Sequence, residues 1–157
     1  SRWKLFRTDG ATVEQVSNIN GNAANDFHVT APPYFAIHEG ELLFFAHSGS
    51  LLKLFKFDGT NLTQISNTNN GGNDTPTGNP RAFPIVNCGG KTFALLIPQG
   101  QTGPSLYLME NSKFVQLNNH SVISNISFPA CFKGEYYSFG FSGGTTRMYK
   151  VIFQNYE

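Results

Sequence analysis

The chain has 157 residues, a formal net charge of +1 and only 13% charged side chains, which suits one ordinary domain with a sizeable core. This charge balance offers no basic surface to nucleic acid or to an anionic membrane. The longest apolar run, residues 42–46, is far shorter than the roughly 20 residues that cross a bilayer. We therefore expect neither nucleic-acid binding nor membrane insertion.

A ten-residue pattern that occurs three times organises the chain. The copies begin at Asp9, Asp58 and Glu110. Each copy has a turn dipeptide, an apolar residue, a Gln, a second apolar residue and an Asn. Self-similarity at a period of about 50 residues predicts a propeller, a solenoid or an array.

Extending the pattern upstream defines a unit of four strands, A to D. In the clearest copy they are predicted at residues 34–38, 42–46, 51–57 and 62–66, because these runs are short, aromatic-rich and bounded by glycine. Tight glycine turns join A to B and C to D, which suits antiparallel hairpins. Long links rich in Asn, Gly, Pro and Thr join D to the next A.

Polarity rises from strand B to strand D, which is typical of a propeller blade followed by a long return loop. We predict an all-β fold of β-propeller blades, each a four-stranded antiparallel meander, with about three blades in this chain. The repeat units are placed at residues 1–18 (partial), 33–67, 83–119 and 128–157 (partial). The apolar B strands supply the predicted core: Leu43, Phe45, Phe93, Leu95, Tyr137 and Phe139.

Residues 41–46 (Glu-Leu-Leu-Phe-Phe-Ala), followed by residues 52–60, which end in Asp-Gly-Thr, resemble the ELW-x-x-DGT type of bacterial surface-protein repeat. More loosely they resemble kelch-like propeller repeats. The Trp of that repeat is replaced by Phe6, Phe55 and Tyr107, and its Asp-Gly becomes Glu110-Asn111 in the third copy. The resemblance extends over nearly the whole chain. It implies a propeller fold and often an extracellular setting, but no particular activity.

Low charge and abundant Asn favour a secreted, cell-surface or virion-surface protein. Four Asn-x-Ser/Thr sequons agree with this location: Asn61, Asn73, Asn119 and Asn125. The two cysteines, Cys88 and Cys131, both fall in A strands of successive units. A disulfide is conceivable there, and so are two buried thiols. We favour free thiols, because Cys131 aligns with Asn87 when the glycine turns are matched.

Catalytic and metal-binding motifs are weak. Asp-Gly pairs at Asp9 and Asp58 are interpreted as hairpin turns. The loop at residues 67–75 has spaced oxygen groups that suggest calcium, but only Asp74 is charged, so a solvated loop is favoured. The histidines lack zinc spacing, and no Gly-x-Ser-x-Gly motif occurs. We therefore predict no cofactor, no metal and no enzymatic activity.

The topology gives one candidate site. In a meandering blade the D-to-A and B-to-C loops leave from the same face, and loops on a rigid scaffold often carry binding residues. The predicted ligand-binding set on this long-loop face is Asp26, Phe27, His28, His47, Asp74, Arg81, His120 and Arg147.

We predict a recognition or adhesion module that binds glycan or protein through this face. The first alternative is a structural assembly unit that completes a ring or filament. A propeller glycoside hydrolase is a further alternative, which needs paired carboxylates facing the axis. It is disfavoured because the A strands carry only Glu39 and Glu41 in one copy and Glu135 in another, at turns.

The predicted strands number two, four, four and three along the chain, whereas closed propellers have roughly four to eight complete blades. An incomplete ring would expose aromatic faces at both ends. We therefore expect this protein to associate with itself, giving a homo-oligomer with a ring of about six blades. The alternative is that flanking parts of a longer chain complete the ring.

Overall fold

The computed structural model describes residues 3–27, 35–75, 85–110, 113–117 and 124–152. It contains no helix in these ranges and has 55% strand, in four antiparallel sheets, which confirms the all-β prediction. A helix long and apolar enough to span a membrane is accordingly absent from the described ranges.

The thirteen described strands are divided among the sheets as two, four, four and three, in the order of the repeat units. The first sheet contains β1 (Phe6–Thr8) and β2 (Val13–Gln15). The second contains β3 (Phe35–His38), β4 (Glu41–Ser48), β5 (Leu51–Phe57) and β6 (Leu62–Gln64). The third contains β7 (Ile85–Cys88), β8 (Lys91–Leu96), β9 (Ser105–Glu110) and β10 (Lys113–Gln116). The fourth contains β11 (Ser124–Phe132), β12 (Glu135–Ser142) and β13 (Thr145–Lys150).

Each sheet is a meander in which neighbours in sequence are neighbours in space. The turn between β5 and β6 shows why the sequence folds this way. Gly59 takes a positive φ of 99°, which glycine adopts without steric cost. The Asp58 carboxylate accepts backbone hydrogen bonds from Asn61 (2.7 Å) and Thr60 (2.8 Å), and these bonds hold the pKa of Asp58 below its usual value. The Asp-Gly pairs therefore act as turns.

Successive sheets pack face to face, and three apolar clusters fill the gaps between them. The first gap is filled by Phe27, Phe44, Ala46 and Phe55. The second is filled by Leu43, Phe45, Leu54, Ile85, Ala94, Leu96, Tyr107 and Met109. The third is filled by Cys88, Phe93, Leu95, Leu106, Leu108 and Tyr136. The second and third sheets are thus covered on both faces, as apolar B strands require.

The core prediction is confirmed for four residues and wrong for two. Leu43, Phe45, Phe93 and Leu95 are buried. Tyr137 is only half-buried and Phe139 is 43% exposed. Their strand, β12, alternates: Tyr136 packs against Phe93 of the third sheet, with ring centroids 4.6 Å apart. Tyr137 and Phe139 point the opposite way, toward a face that no further sheet of the described chain covers.

The prediction of free thiols is also wrong, because Cys88 and Cys131 form a disulfide with their Cα atoms 5.3 Å apart. The bond joins β7 to β11, the A strands of neighbouring sheets. The turns beside them approach closely: a Cβ on Gly89 would lie 2.5 Å from the carbonyl oxygen of Gly134. Cys131 is offset by one residue from Cys88 in the repeat alignment. This offset does not prevent the disulfide, because adjacent A strands converge without sharing a common register.

We expect Phe45→Ala or Phe93→Ala to lower the free energy of unfolding by about 3–5 kcal/mol, because each leaves a cavity between two sheets. Phe139→Ala is the matched control, since the same truncation on the half-exposed face should cost much less. Urea unfolding measures all three. A loss under about 1 kcal/mol at both Phe45 and Phe93 would mean that the B strands are not buried.

Candidate functional site

Two aspartates of the D-to-A loops, Asp26 and Asp74, are completely buried between successive sheets. Each carboxylate pairs with a lysine, Lys4 just before β1 or Lys53 in β5. The Nζ–Oδ1 distance is 3.0 Å for Lys4 with Asp26 and 3.0 Å for Lys53 with Asp74. All four side chains are at most 4% exposed. A buried ion pair is stable only when its remaining donors and acceptors are also bonded.

The second copy of this arrangement shows how the bonds are made. The Lys53 ammonium also donates to the Asn67 side-chain oxygen (3.0 Å) and to the Asn69 carbonyl (2.9 Å). The Asp74 carboxylate also accepts from the Ser66 hydroxyl (2.6 Å) and from the Asn69 amide (2.9 Å). Loop 67–75 is therefore folded around a lysine ammonium, which occupies the position that a metal cation would need.

The first copy repeats the same pattern in a loop of different sequence. Lys4 donates to the Asn18 side chain (3.5 Å) and to the Gly21 carbonyl (2.8 Å) as well as to Asp26. The Ser17 hydroxyl accepts from the amide of Leu5 at 2.9 Å, as the Ser66 hydroxyl does from Leu54 at 2.8 Å. Two loops that differ in sequence thus converge on one set of bonds.

The backbone of each aspartate also joins two sheets. The Asp74 amide donates to the Leu52 carbonyl of β5 (2.8 Å), and the Asp74 carbonyl accepts from the Ile97 amide, just after β8 (2.8 Å). The corresponding bonds of the first copy run from Asp26 to Trp3 (2.9 Å) and from His47 to Asp26 (2.8 Å). We call each set of contacts, one around Asp26 and one around Asp74, an aspartate joint.

The third copy lacks both charged partners together. Ser105 stands at the position of Lys4 and Lys53, and no aspartate follows Asp74 in the sequence. The Ser105 hydroxyl instead accepts a hydrogen bond from Gln116 (3.2 Å). Loss of both charged residues together is expected if the lysine and the aspartate neutralise each other, because either one alone would be an uncompensated buried charge.

Burial by itself opposes ionisation of Asp26. Hydrogen bonds from the side chains of Ser17 and Lys4 and from the amides of Asn20 and Ile19 outweigh it, so the pKa of Asp26 lies below its ordinary value. The folded protein therefore holds Asp26 as a carboxylate, in a structural ion pair that offers no surface to a ligand.

The five predicted ligand-binding residues that the structure describes differ in their burial. Asp26, Phe27 and Asp74 are buried, and His47 is half-buried. Arg147 is exposed on β13 of the fourth sheet. The remaining three lie outside the described residues: His28, Arg81 and His120.

A cleft of about 280 Å³ lies beside the disulfide, between the third and fourth sheets. Its carboxylate, Glu135, accepts hydrogen bonds from Lys150 (2.5 Å) and from the Tyr137 hydroxyl (2.6 Å), and these bonds lower the pKa of Glu135. Burial raises the pKa of Tyr136. The Tyr136 hydroxyl makes no hydrogen bond of good geometry in the described chain. The nearby Ser138 side chain slightly lowers the pKa that burial raises. The carboxylate is already satisfied, so the cleft presents no free acid and base pair.

Sequence reasoning missed Lys4 and Lys53 as members of the site. A signal was present, because Asn-Asp dipeptides recur at Asn25-Asp26 and Asn73-Asp74. The asparagines also have matching roles, accepting from the Trp3 amide (2.9 Å) and the Leu52 amide (2.7 Å). The unequal loop lengths hid this correspondence when the repeats were aligned on their turns.

We expect Asp74→Asn to lower the free energy of unfolding by about 3–5 kcal/mol, because it leaves the buried Lys53 ammonium without a counter-charge. Glu39→Gln is the control: it removes one carboxylate from a side chain that is 81% exposed, so its effect should stay within about 0.5 kcal/mol. Equal effects of the two substitutions in urea unfolding would contradict a structural role for the ion pair.

The lowered pKa of Asp26 predicts a dependence of stability on pH. A carboxyl group whose pKa is depressed by folding stabilises the protein above its unfolded pKa of about 3.9, and this contribution is lost as the pH falls through the folded pKa. Asp26→Asn should therefore be less stable at neutral pH and should lose less stability between about pH 4 and pH 2. Glu39→Gln, at a side chain 81% exposed, should keep the wild-type profile in thermal melts. An unchanged acid slope in Asp26→Asn would contradict this assignment.

Comparisons with protein-family models, with curated proteins and with solved structures found no match. No relative therefore supplies a ligand, a reaction or a partner for the surfaces described above.

Proposed function

We propose that the four sheets are blades of a β-propeller and that the protein is a non-enzymatic assembly unit whose terminal blades join further blades. The observation that carries this proposal is the difference between inner and terminal sheets. The second and third sheets are covered on both faces, whereas the fourth exposes Phe139 (43%), Phe141 (43%) and Met148 (65%). Apolar side chains grouped on one surface mark an interaction site.

The first sheet supports the same proposal from the other end of the molecule. Its two strands expose Phe6 (52%) and Val13 (74%), and Trp3 just before β1 is also half-exposed. In the second sheet the residue equivalent to Phe6 is Phe55, which is buried against Phe44. The same position is therefore apolar in both sheets, and only the covering sheet differs.

The aspartate joints explain how such a unit would extend. Each joint uses contacts within one repeat and one backbone bond to the next sheet, so the same geometry can be repeated without a new kind of interface. A second copy of this chain would complete a ring of about six blades with the symmetry that is commonest among oligomers. Flanking parts of a longer chain would complete it equally well.

We also propose that the protein works outside the cytoplasm, at a cell or virion surface or as a secreted protein. The disulfide between Cys88 and Cys131 is compatible with this location, because disulfides persist in oxidising compartments. We propose no hydrolytic role. Glu41 is paired with Lys56 (2.7 Å) and Glu135 with Lys150 (2.5 Å), so neither carboxylate is free for catalysis.

We expect the 157-residue chain to self-associate or to bind an exposed-hydrophobe dye strongly, because its terminal faces need cover. Replacing Phe139, Phe141 and Met148 by Ser should reduce both signals, whereas Val115→Ser, on a complete sheet and 43% exposed, should not. Sedimentation and dye fluorescence measure these outcomes. A compact monomer that binds no dye would overturn the assembly proposal.

Recognition of glycan or protein through the long-loop face is the second candidate, and the rigidity of loop 67–75 favours it. The Thr68 hydroxyl donates to the Ile97 carbonyl (2.9 Å), and the Asn70 amide donates to the Gln99 side chain (2.7 Å). Asn67 and Asn70 remain exposed on this braced loop, and pre-ordered polar groups lower the entropic cost of binding. A glycan array tests the idea: binding that Asn70→Ala weakens supports it, and the absence of binding to any glycan removes the glycan version.

A further inference from the structure

We propose that strand β13 is a docking edge for one more strand of this repeat, and that Arg147 receives the carboxylate of the aspartate loop that follows that strand. The occupant is an extended segment of the type seen at residues 62–75, with a serine at the end of the strand and an aspartate in the loop. This inference rests on the proposed assembly function and assigns a specific contact to it.

The strand register places Arg147 at the position of the two joint lysines. In the second sheet Lys53 lies opposite Ala46 of β4. In the fourth sheet Arg147 lies opposite Gly140 of β12. Ala46 and Gly140 are equally far from their turn glycines, Gly40 and Gly134. The fourth sheet thus carries a cation where the first and second sheets bury one, unlike the third sheet, which has a serine.

Arg147 lacks the partner that its position implies. Its side chain is exposed, and its Nε donates to the Thr145 hydroxyl at 3.3 Å. Within the described chain it forms no ion pair, whereas Lys4 and Lys53 each hold an aspartate at 3.0 Å. A guanidinium matches a carboxylate with two parallel hydrogen bonds, so Arg147 suits this role at least as well as lysine.

Within the part of the chain that the structure describes, the backbone of β13 is unpaired at the two groups that a joint would use. In the second sheet the Leu54 amide donates to the Ser66 hydroxyl (2.8 Å), and the Leu52 carbonyl accepts from the Asp74 amide (2.8 Å). The register makes the Met148 amide and the Thr146 carbonyl their equivalents. Among the described strands β13 pairs only with β12, so these groups face the free edge.

The exposed apolar side chain of Met148 also fits a strand of the type seen at residues 62–75. Leu54 is fully buried in a cluster against which Ile65, at the end of the fourth strand, packs. Met148 takes the position of Leu54 and is 65% exposed. An arriving strand would place its own residue equivalent to Ile65 over Met148. Addition of a strand to an open sheet edge is an established mode of peptide binding, in which backbone bonds give affinity and side chains give specificity.

The positive charge of Arg147 indicates which type of strand binds to the edge of β13. The strand of the third copy has Asn118 in place of the joint serine and is followed by no aspartate, so it offers no carboxylate to a cation. The strand of the second copy ends in Ser66 and is followed by Asp74. The exposed arginine of β13 therefore selects a strand of the second type.

The test uses a fluorescent peptide with the sequence of residues 60–75 and the whole 157-residue protein. We expect saturable binding in fluorescence anisotropy, weakened at least about tenfold by Arg147→Ala because the carboxylate loses its counter-charge. Arg147→Lys should retain binding, and a peptide carrying Asp74→Asn should bind as weakly to the wild-type protein as the normal peptide does to Arg147→Ala. Arg7→Ala removes another exposed arginine, from β1, and should leave binding unchanged.

Sedimentation of the same samples separates this inference from the assembly proposal. If the protein self-associates through β13, the peptide should dissociate the oligomer and Arg147→Ala should weaken it. No binding of the peptide to wild-type protein, or equal binding to Arg147→Ala, overturns the role of Arg147 while leaving the exposed faces and their association to be judged separately.

Discussion

The buried pair of Lys53 and Asp74 is the interaction on which the arrangement of the sheets depends. Its carboxylate gathers the end of strand β6 and the following loop around one ammonium, while its backbone bonds β5 on one side and the end of β8 on the other. Removing two charges from water is costly, and this cost is offset only because nearly every donor and acceptor finds a partner. Asp74 therefore bonds the second sheet to the third, beside the apolar cluster that fills the gap between them.

The internal use of these charged residues limits which surfaces can bind a ligand. The loops that topology would offer to a ligand use their charged residues internally, so that Asp26 and Asp74 hold sheets together and are not available at the surface. The surfaces that remain are of two kinds, the exposed asparagines of braced loops and the uncovered faces and edges of the first and fourth sheets. The second kind exposes large apolar side chains, which is why we propose assembly as the role of the protein.

Much of the fold was predictable from the sequence because its signals are local. Asp58-Gly59 specifies a tight turn, and short aromatic runs on either side specify paired strands, whatever lies further away. The three-fold recurrence of this pattern then yields the division into sheets of two, four, four and three strands. Apolar residues in succession along strand B, such as Leu43 and Phe44 in one copy and Phe93 and Ala94 in the next, point to opposite faces and likewise predicted that the middle sheets would be covered on both sides.

The sequence by itself thus determined the strands, their turns and their grouping, since each depends on residues close together in the chain. Only the tertiary structure decided which partners meet across the gaps between sheets. It pairs Lys53 with Asp74 through a loop whose length hides the repeat, and it joins Cys88 to Cys131 despite their unequal positions. It also leaves Phe139 half-exposed while Phe45, at the same place in its own repeat, is buried. The sequence pattern around Phe45 and Phe139 is the same within each repeat. Whether a neighbouring sheet covers the phenylalanine is decided only in the folded molecule.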